Sequence, residues 1–329
     1  MDIKSIREYL GQDWVSVQER ISSVLQSDIS LLNATNRSIL SNSGKQMRPA
    51  LSLLMARACS DGGGSSSDAT VRYAAASELL HNATLLHDDV ADDSDQRRGV
   101  PTVMSLMGPS VSVLVGDYWL VKAMELILGT AESDNKVIKV FSKTLSDLAE
   151  GEMLQLQKAQ SGDTDENDYL RIIYNKTASL FEAACVSGAI SVNAPAEYEQ
   201  AARDYAVALG LAFQIKDDIL DYAGTDSVGK PLGVDILEQK ITMPLLGAFA
   251  NVSGAEEAEV RAMVKDIADH PEHRDEVVAF VKRNAGLDYA VQKLDHYVGQ
   301  AVRALAVLPQ SGERELLEQL AYYTAERIL

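Results

Sequence analysis

Two short acidic stretches hold the side chains best suited to chemistry. Residues 85–99 read LLHDDVADDSDQRRG, five aspartates in eight positions and then two arginines. Residues 213–222 read FQIKDDILDY and repeat the pattern with Asp217, Asp218 and Asp221. Asp88 and Asp92 stand four apart, as do Asp217 and Asp221, which on a helix places each pair on one face. Carboxylates at that spacing repel by ~0.2–0.5 kcal/mol on an exposed helix. They also sit badly at the negative end of a helix dipole. A hard divalent cation removes the penalty, and Mg²⁺ prefers carboxylate oxygens combined with substrate phosphates. One such motif alone reads equally well as a solvated acidic face near a helix end. A second copy, again after an apolar helical run, favours metal. Two facing clusters can hold several Mg²⁺ ions around one diphosphate.

The cations fit an anionic ligand. GKQMRP (44–49) sets Lys45 and Arg48 three apart just before Pro49, a residue suited to the first helical position. Cations at a helix N-terminus favour a phosphate-type anion. Arg97 and Arg98 follow the first acid cluster directly, and the arginine fork suits phosphate oxygens. On their own they could simply neutralise the aspartates. Lys176 in NKTASL, and Lys230 and Lys240 in GKPLGVDILEQKITMP, complete the set, each uninformative alone.

The elements that must position these groups are helical. Apolar residues recur at helical spacing, as in Ile3/Ile6/Leu10 and Leu51/Leu54/Met55, and period-2 patterning is scarce, so an all-α fold is expected. The chain has 329 residues, 46% of them hydrophobic, enough for a sizeable core. Polar or Gly-rich breaks fall at 60–69, 161–168, 223–233 and 270–276. No composition shift divides the chain and no repeat appears, so residues 1–329 are read as one domain of ten or more helices. The most apolar run, VSVLVGDYWLVKAMELIL, is broken by Asp117, Lys122 and Glu125 and reads as a buried helix, not a membrane span. Cys59 and Cys185 imply no disulfide framework and fit a reducing compartment. The N-terminal residues lack an apolar signal region, so a cytoplasmic location is expected. A net charge of -18 argues against a nucleic-acid partner.

These motifs, in order GKQMRP, LLHDDVADDSDQRRG, KTASLF, FQIKDDILD and GKPLGVDILEQKITMP, resemble those of the trans-isoprenyl diphosphate synthase, or polyprenyl synthetase, family. The likeness spans about residues 44–244. It implies the isoprenoid synthase helical bundle around a central apolar cavity. It also implies a prenyltransferase joining isopentenyl diphosphate repeatedly to an allylic diphosphate, farnesyl or geranylgeranyl. Carried over by residue, Asp88 and Asp92 would bind Mg²⁺ with Asp89 in support, and Asp217 and Asp221, with Asp218, would hold metal opposite, three ions in all. Lys45, Arg48, His81 and Arg98 would hold isopentenyl diphosphate. Arg97, Lys176, Lys230 and Lys240 would hold the allylic diphosphate, with Thr177 and Gln214 presenting oxygen dipoles to the allylic cation. A homodimer is implied, with transient membrane contact at most for product release.

The resemblance also places the growing tail along the helix before the first cluster. Ala83 and Thr84 lie about one turn before Asp88, and each turn adds ~5.4 Å. Short-chain members often carry an aromatic plug there; both residues here are small. A product of roughly C30 to C50 is expected, of the type used for quinone side chains. Leu80, Ala76, Leu120, Met124 and Leu128 are candidates for the tunnel floor, and each is equally an ordinary core residue. The alternatives are a geranylgeranyl (C20) diphosphate synthase and a non-catalytic subunit of a hetero-oligomeric synthase, although such a subunit would be expected to lose an aspartate cluster. A di-iron carboxylate bundle needs two Glu-x-x-His motifs. ELLH (78–81) supplies one, and none of His87, His270, His273 and His296 completes a second.

Overall fold

Helical spacing in the sequence is realised as helices along most of the chain. The computed structural model describes residues 3–42, 44–60, 66–97, 99–129, 135–223 and 233–326. The chain divides into two compact units, each assembled from three stretches. The first comprises Met1–Ser142, Ala183–Ala202 and Val307–Leu317; the second comprises Lys143–Glu182, Arg203–Ala306 and Glu318–Leu329.

The first unit is built on α1 (Ile3–Leu10), α2 (Gln12–Val24), α3 (Ser30–Ser41), α4 (Met47–Ala58), α5 (Asp68–Ala91), α6 (Val103–Met107) and α7 (Pro109–Leu128). Its core helix is α5, packed against α2, α4 and α7. Ser67 starts α5 by accepting a hydrogen bond from the Thr70 backbone N–H at 3.1 Å, which satisfies one of the helix's four orphan donors. The α5–α7 contact is fastened where Ser112 Oγ donates to the Leu86 carbonyl at 2.8 Å. Two buried polar groups pair with each other: the Trp119 indole N–H donates to Asn36 Oδ1 at 2.8 Å, and Asn36 donates to the Leu25 carbonyl. The helix α4 begins at Met47, so Pro49 lies at its third position and not its first. First-turn N–H groups lack intrahelical partners in any case, so proline costs little there. The run read as a buried helix is α7, buried on one face through Val115, Trp119 and Ala123 and bare on the other. A two-residue hairpin, Gln96–Arg97 paired with Val100–Pro101, follows α5.

The remaining helices are α8 (Asn135–Ser161), α9 (Glu166–Ile173), α10 (Ser179–Ser191), α11 (Ala196–Ala223), α12 (Val234–Leu237), α13 (Met243–Phe249), α14 (Gly254–Lys265), α15 (His273–Arg283), α16 (Gly286–Ala304) and α17 (Gly312–Glu326). Within the second unit, α13 packs on α15 and α16. The expected break at 161–168 ends in a capping box, Asp165 and Asp168 each accepting from the other's backbone N–H. Between α9 and α10 the chain winds one π-helical turn, Tyr174–Ala178. Two glycines make room for it. A Cβ on Gly151 of α8 would lie 2.6 Å from Asn175 Cβ, and one on Gly210 of α11 would lie 2.5 Å from Ala178 Cα.

Both cysteines are free and buried, and burial pushes the Cys59 thiol up to about 12. No described helix is long and apolar enough to cross a membrane.

Candidate functional site

In the first unit the aspartates fall at the end of α5, as their spacing requires. Asp88 is half-buried, Asp89 buried and Asp92 exposed at the C-cap, where its N–H bonds the Asp88 carbonyl. Asp93 turns the chain with a positive φ of 48°. The hairpin then folds back so that Arg97 Nε donates to Asp89 Oδ1 at 2.8 Å. Thr102 holds the hairpin by donating to the Ser94 carbonyl at 2.7 Å. Acid crowding followed by arginine thus has a local cause: Asp89 anchors Arg97, whereas Asp88 is half-buried and Asp92 exposed. Asp89 and Arg97 also line a hollow of about 100 Å³ together with Asn82, Leu85 and Leu86.

The other expected groups of this unit are spread over α4 and α5. Lys45 is exposed and Arg48 half-buried at the start of α4, where Arg7 donates to the Lys45 carbonyl at 2.6 Å. His81 is half-buried, and its carbonyl accepts from Thr84 Oγ1 at 2.9 Å. Ala83 is fully buried and Thr84 half-buried; among the floor candidates Ala76 and Leu80 are fully buried and Leu128 is half exposed. Arg98 and Lys230 lie outside the described residues, as does most of the 223–233 loop.

In the second unit the structure brings distant motifs to one cavity of about 140 Å³. Lys176, Gln214, Asp218 and Lys240 line it, joined by Tyr169 and Asp235. The π turn allows the adjacent Lys176 and Thr177 both to engage their neighbours. Lys176 pairs with Glu152 Oε2 at 2.5 Å, and Thr177 Oγ1 donates to Gln214 Oε1 at 2.9 Å. From Gln214 the chain of bonds continues, Nε2 donating to Asp218 Oδ1 at 3.0 Å. Tyr169 OH donates to Asp218 Oδ2 at 2.5 Å. Lys240 pairs with Glu238.

The three aspartates on α11 differ sharply. Asp217 is exposed, whereas Asp218 is 2% exposed with both oxygens taken by protein donors. Asp221 accepts from the backbone N–H of Val234 at 3.0 Å and of Asp235 at 3.2 Å, which ties the start of α12 to the end of α11. Burial, and then the charge of Asp235, push the Asp218 carboxyl well above the usual range. Burial beside Asp221 likewise raises Asp235 to about 7. Such shifts mark a pocket where negative charge is in excess and a cation is welcome.

Sequence reading missed Tyr169, Asp235 and Glu152. Tyr169 sits seven residues before Lys176, two helical turns, which is the only signal it carried; Asp235 stands alone and carried none. Among the described residues, His270, Glu272 and His273 bring ligand-type atoms within 4.8 Å of one another. They lie at the N-terminus of α15, whose dipole disfavours a cation, and they stay a surface turn.

A family model described as Polyprenyl synthetase matches residues 29–282. The chain is 38% identical to the octaprenyl diphosphate synthase of Escherichia coli over 329 residues, 99% of each protein. It is similar in structure to a decaprenyl diphosphate synthase from Rhodobacter capsulatus, with a TM-score of 0.90 at 36% identity over 99% of both chains. A polyprenyl synthase from Caulobacter crescentus, solved with calcium and isoprenyl diphosphate, gives 0.89 at 34% identity over 100% of this chain and 98% of that one.

Proposed function

We propose a mechanism from one fact: the chain belongs to the polyprenyl synthetase family. It is a prenyltransferase that extends an allylic diphosphate with isopentenyl units into a long all-trans polyprenyl diphosphate. The observation that carries the mechanism is the cavity of the second unit, where cations, an oriented amide and excess carboxylate meet.

The donor sets fit Mg²⁺. Asp88 and Asp92 in one cluster, and Asp217 and Asp221 in the other, offer hard carboxylate oxygens. We assign those four as ligands, with three ions per chain, and place Asp89 and Asp218 behind them. When bound, the metal neutralises diphosphate charge as the leaving group departs. Arg97, Lys176, Lys230 and Lys240 would hold the allylic diphosphate, and Lys45, Arg48, His81 and Arg98 that of isopentenyl diphosphate. Glu152 and Glu238 pair with Lys176 and Lys240 and hold these two cations in place at the cavity. Thr177 and Gln214 set oxygen dipoles against the allylic cation, the kind of preorganised charge stabilisation that dominates most enzyme rates. Apolar walls exclude water, which would quench the cation as an alcohol. The double bond of isopentenyl diphosphate attacks the cation, and the released diphosphate removes the proton. No side-chain base is required.

The tail grows past Ala83 and Thr84 to a length of C30 to C50, suited to quinone side chains. A homodimer is supported by the bare face of α7: Leu114, Val121 and Leu128 recur every seven residues and are at least half exposed. Family membership across 29–282 draws on stretches of both units, which supports one functional domain. The protein acts in the cytoplasm, with transient membrane contact for product release.

The test is a product assay with Mg²⁺, labelled isopentenyl diphosphate and farnesyl or geranylgeranyl diphosphate, with the dephosphorylated products sized by chromatography and mass. A ladder ending at C30 or beyond is expected. A stop at C20 would make the chain a geranylgeranyl diphosphate synthase, and no incorporation would make it a partner subunit.

A further inference from the structure

Asp218 belongs by position to a metal-binding motif, yet its surroundings are those of a different group. It is 2% exposed, its Oδ2 accepts from the buried Tyr169 hydroxyl at 2.5 Å, and its Oδ1 accepts from the Gln214 amide at 3.0 Å. Its neighbour Asp217 is exposed. A carboxylate so enclosed has both oxygens already engaged by protein donors, not held open for a metal ion.

What it does instead follows from the amide. Gln214 can sit in two flips, one presenting its oxygen to Thr177 and the other its NH₂. Thr177 is indifferent, since a hydroxyl both donates and accepts. Asp218 is not: Oδ1 can only accept, so it draws the NH₂ to itself and leaves the oxygen toward Thr177. Tyr169 occupies the other oxygen and stops the carboxylate from turning. With Oδ2 taken by the Tyr169 hydroxyl, Oδ1 is the oxygen that accepts from Gln214.

We propose that Asp218, clamped by Tyr169, is a positioning residue that fixes Gln214 with its oxygen toward the allylic cation, and that it does not ligate metal. The inference rests on the prenyltransferase reading, in which Gln214 and Thr177 face a cation. The opposite flip would aim the positive end of the amide dipole at that cation.

Two measurements test it. Manganese binding, read by electron paramagnetic resonance in the presence of inorganic diphosphate, should change less than ~3-fold in Asp218→Ala. It should weaken by ~10–100-fold in Asp217→Ala. In steady-state kinetics Asp218→Ala and Gln214→Leu should each lower kcat by ~10²-fold with little change in the allylic KM. The double variant should be no more than ~3-fold worse than the poorer single, because both remove one effect. Tyr169→Phe, the gentler change should Asp218→Ala fold poorly, should lower kcat about tenfold in the same pattern. Equal loss of manganese binding in Asp217→Ala and Asp218→Ala, or kcat losses that multiply, would overturn the assignment. If the wild-type chain makes no prenyl product, the failure lies with the prenyltransferase reading, and the manganese comparison still decides whether Asp218 is a ligand.

Discussion

Asp88 and Asp89 are adjacent and chemically identical, yet burial sends them to different tasks. Asp89 is buried and meets Arg97 at 2.8 Å, whereas Asp88 is half-buried. Asp88→Ala is therefore expected to cut turnover by several orders of magnitude while the far-UV circular dichroism and melting curve stay close to wild type; near-normal turnover would remove the first cluster from the mechanism. At Ala83 the side chain is small and fully buried on α5. Ala83→Phe should shorten the product ladder with elongation largely intact, and an unchanged ladder would move the gate elsewhere. The acid clusters were legible because their spacing is unusual and occurs twice. The division of labour within each was not, since which carboxylate turns inward depends on packing. Tyr169 and Asp235 were invisible for the same reason: isolated polar residues acquire meaning only from what the fold sets beside them.

At the scale of elements, the π turn Tyr174–Ala178 governs how Lys176 and Thr177 are presented. It stands only because Gly151 and Gly210 let α8 and α11 approach its backbone. A methyl at Gly210 would meet Ala178 Cα at 2.5 Å, so Gly210→Ala must displace backbone. Overpacking of this kind costs ~1–3 kcal/mol. The expected outcome is a lower urea midpoint together with a reduced kcat, because the turn carrying Lys176 and Thr177 moves; an unaltered midpoint would show that the turn yields freely. The helices themselves were plain in the sequence from their apolar period and caps. The π turn was not, because an extra residue per turn leaves no trace in a short polar segment such as YNKTA.

The whole molecule depends on attachments between distant parts of the sequence. In the first unit Asp13 accepts from Arg57 Nη2 at 2.6 Å and from Ser66 Oγ at 2.6 Å. Burial alone would raise this carboxyl, but the bonds from Ser66 and Arg57 outweigh it and hold its pKa below the ordinary 3.8. A depressed folded-state pKa adds stability that is complete above the unfolded value and fades as pH falls through the folded one. Asp13→Asn should thus be less stable at pH 7 by ~1–3 kcal/mol. The gap should begin to narrow below about pH 4 and shrink further as pH falls, as urea titrations at several pH values would show; a gap independent of pH would mean the carboxylate's charge contributes nothing. One-domain organisation was the natural reading of a chain with no internal boundary, and the structure explains why none is visible. Each unit is a composite of three stretches, so no single cut in the sequence separates them.

That composite layout has a consequence for how the protein is made. Residues 1–142 leave the ribosome before the rest of their unit, which is completed only by 183–202 and then by 307–317, where Glu313 accepts from the Tyr9 hydroxyl at 2.7 Å. Nearly all of the second unit must be translated before that last stretch exists. The helices of residues 1–142 therefore wait, with apolar faces uncovered, for partners encoded far downstream, which exposes them to aggregation and to chaperones until those partners are made.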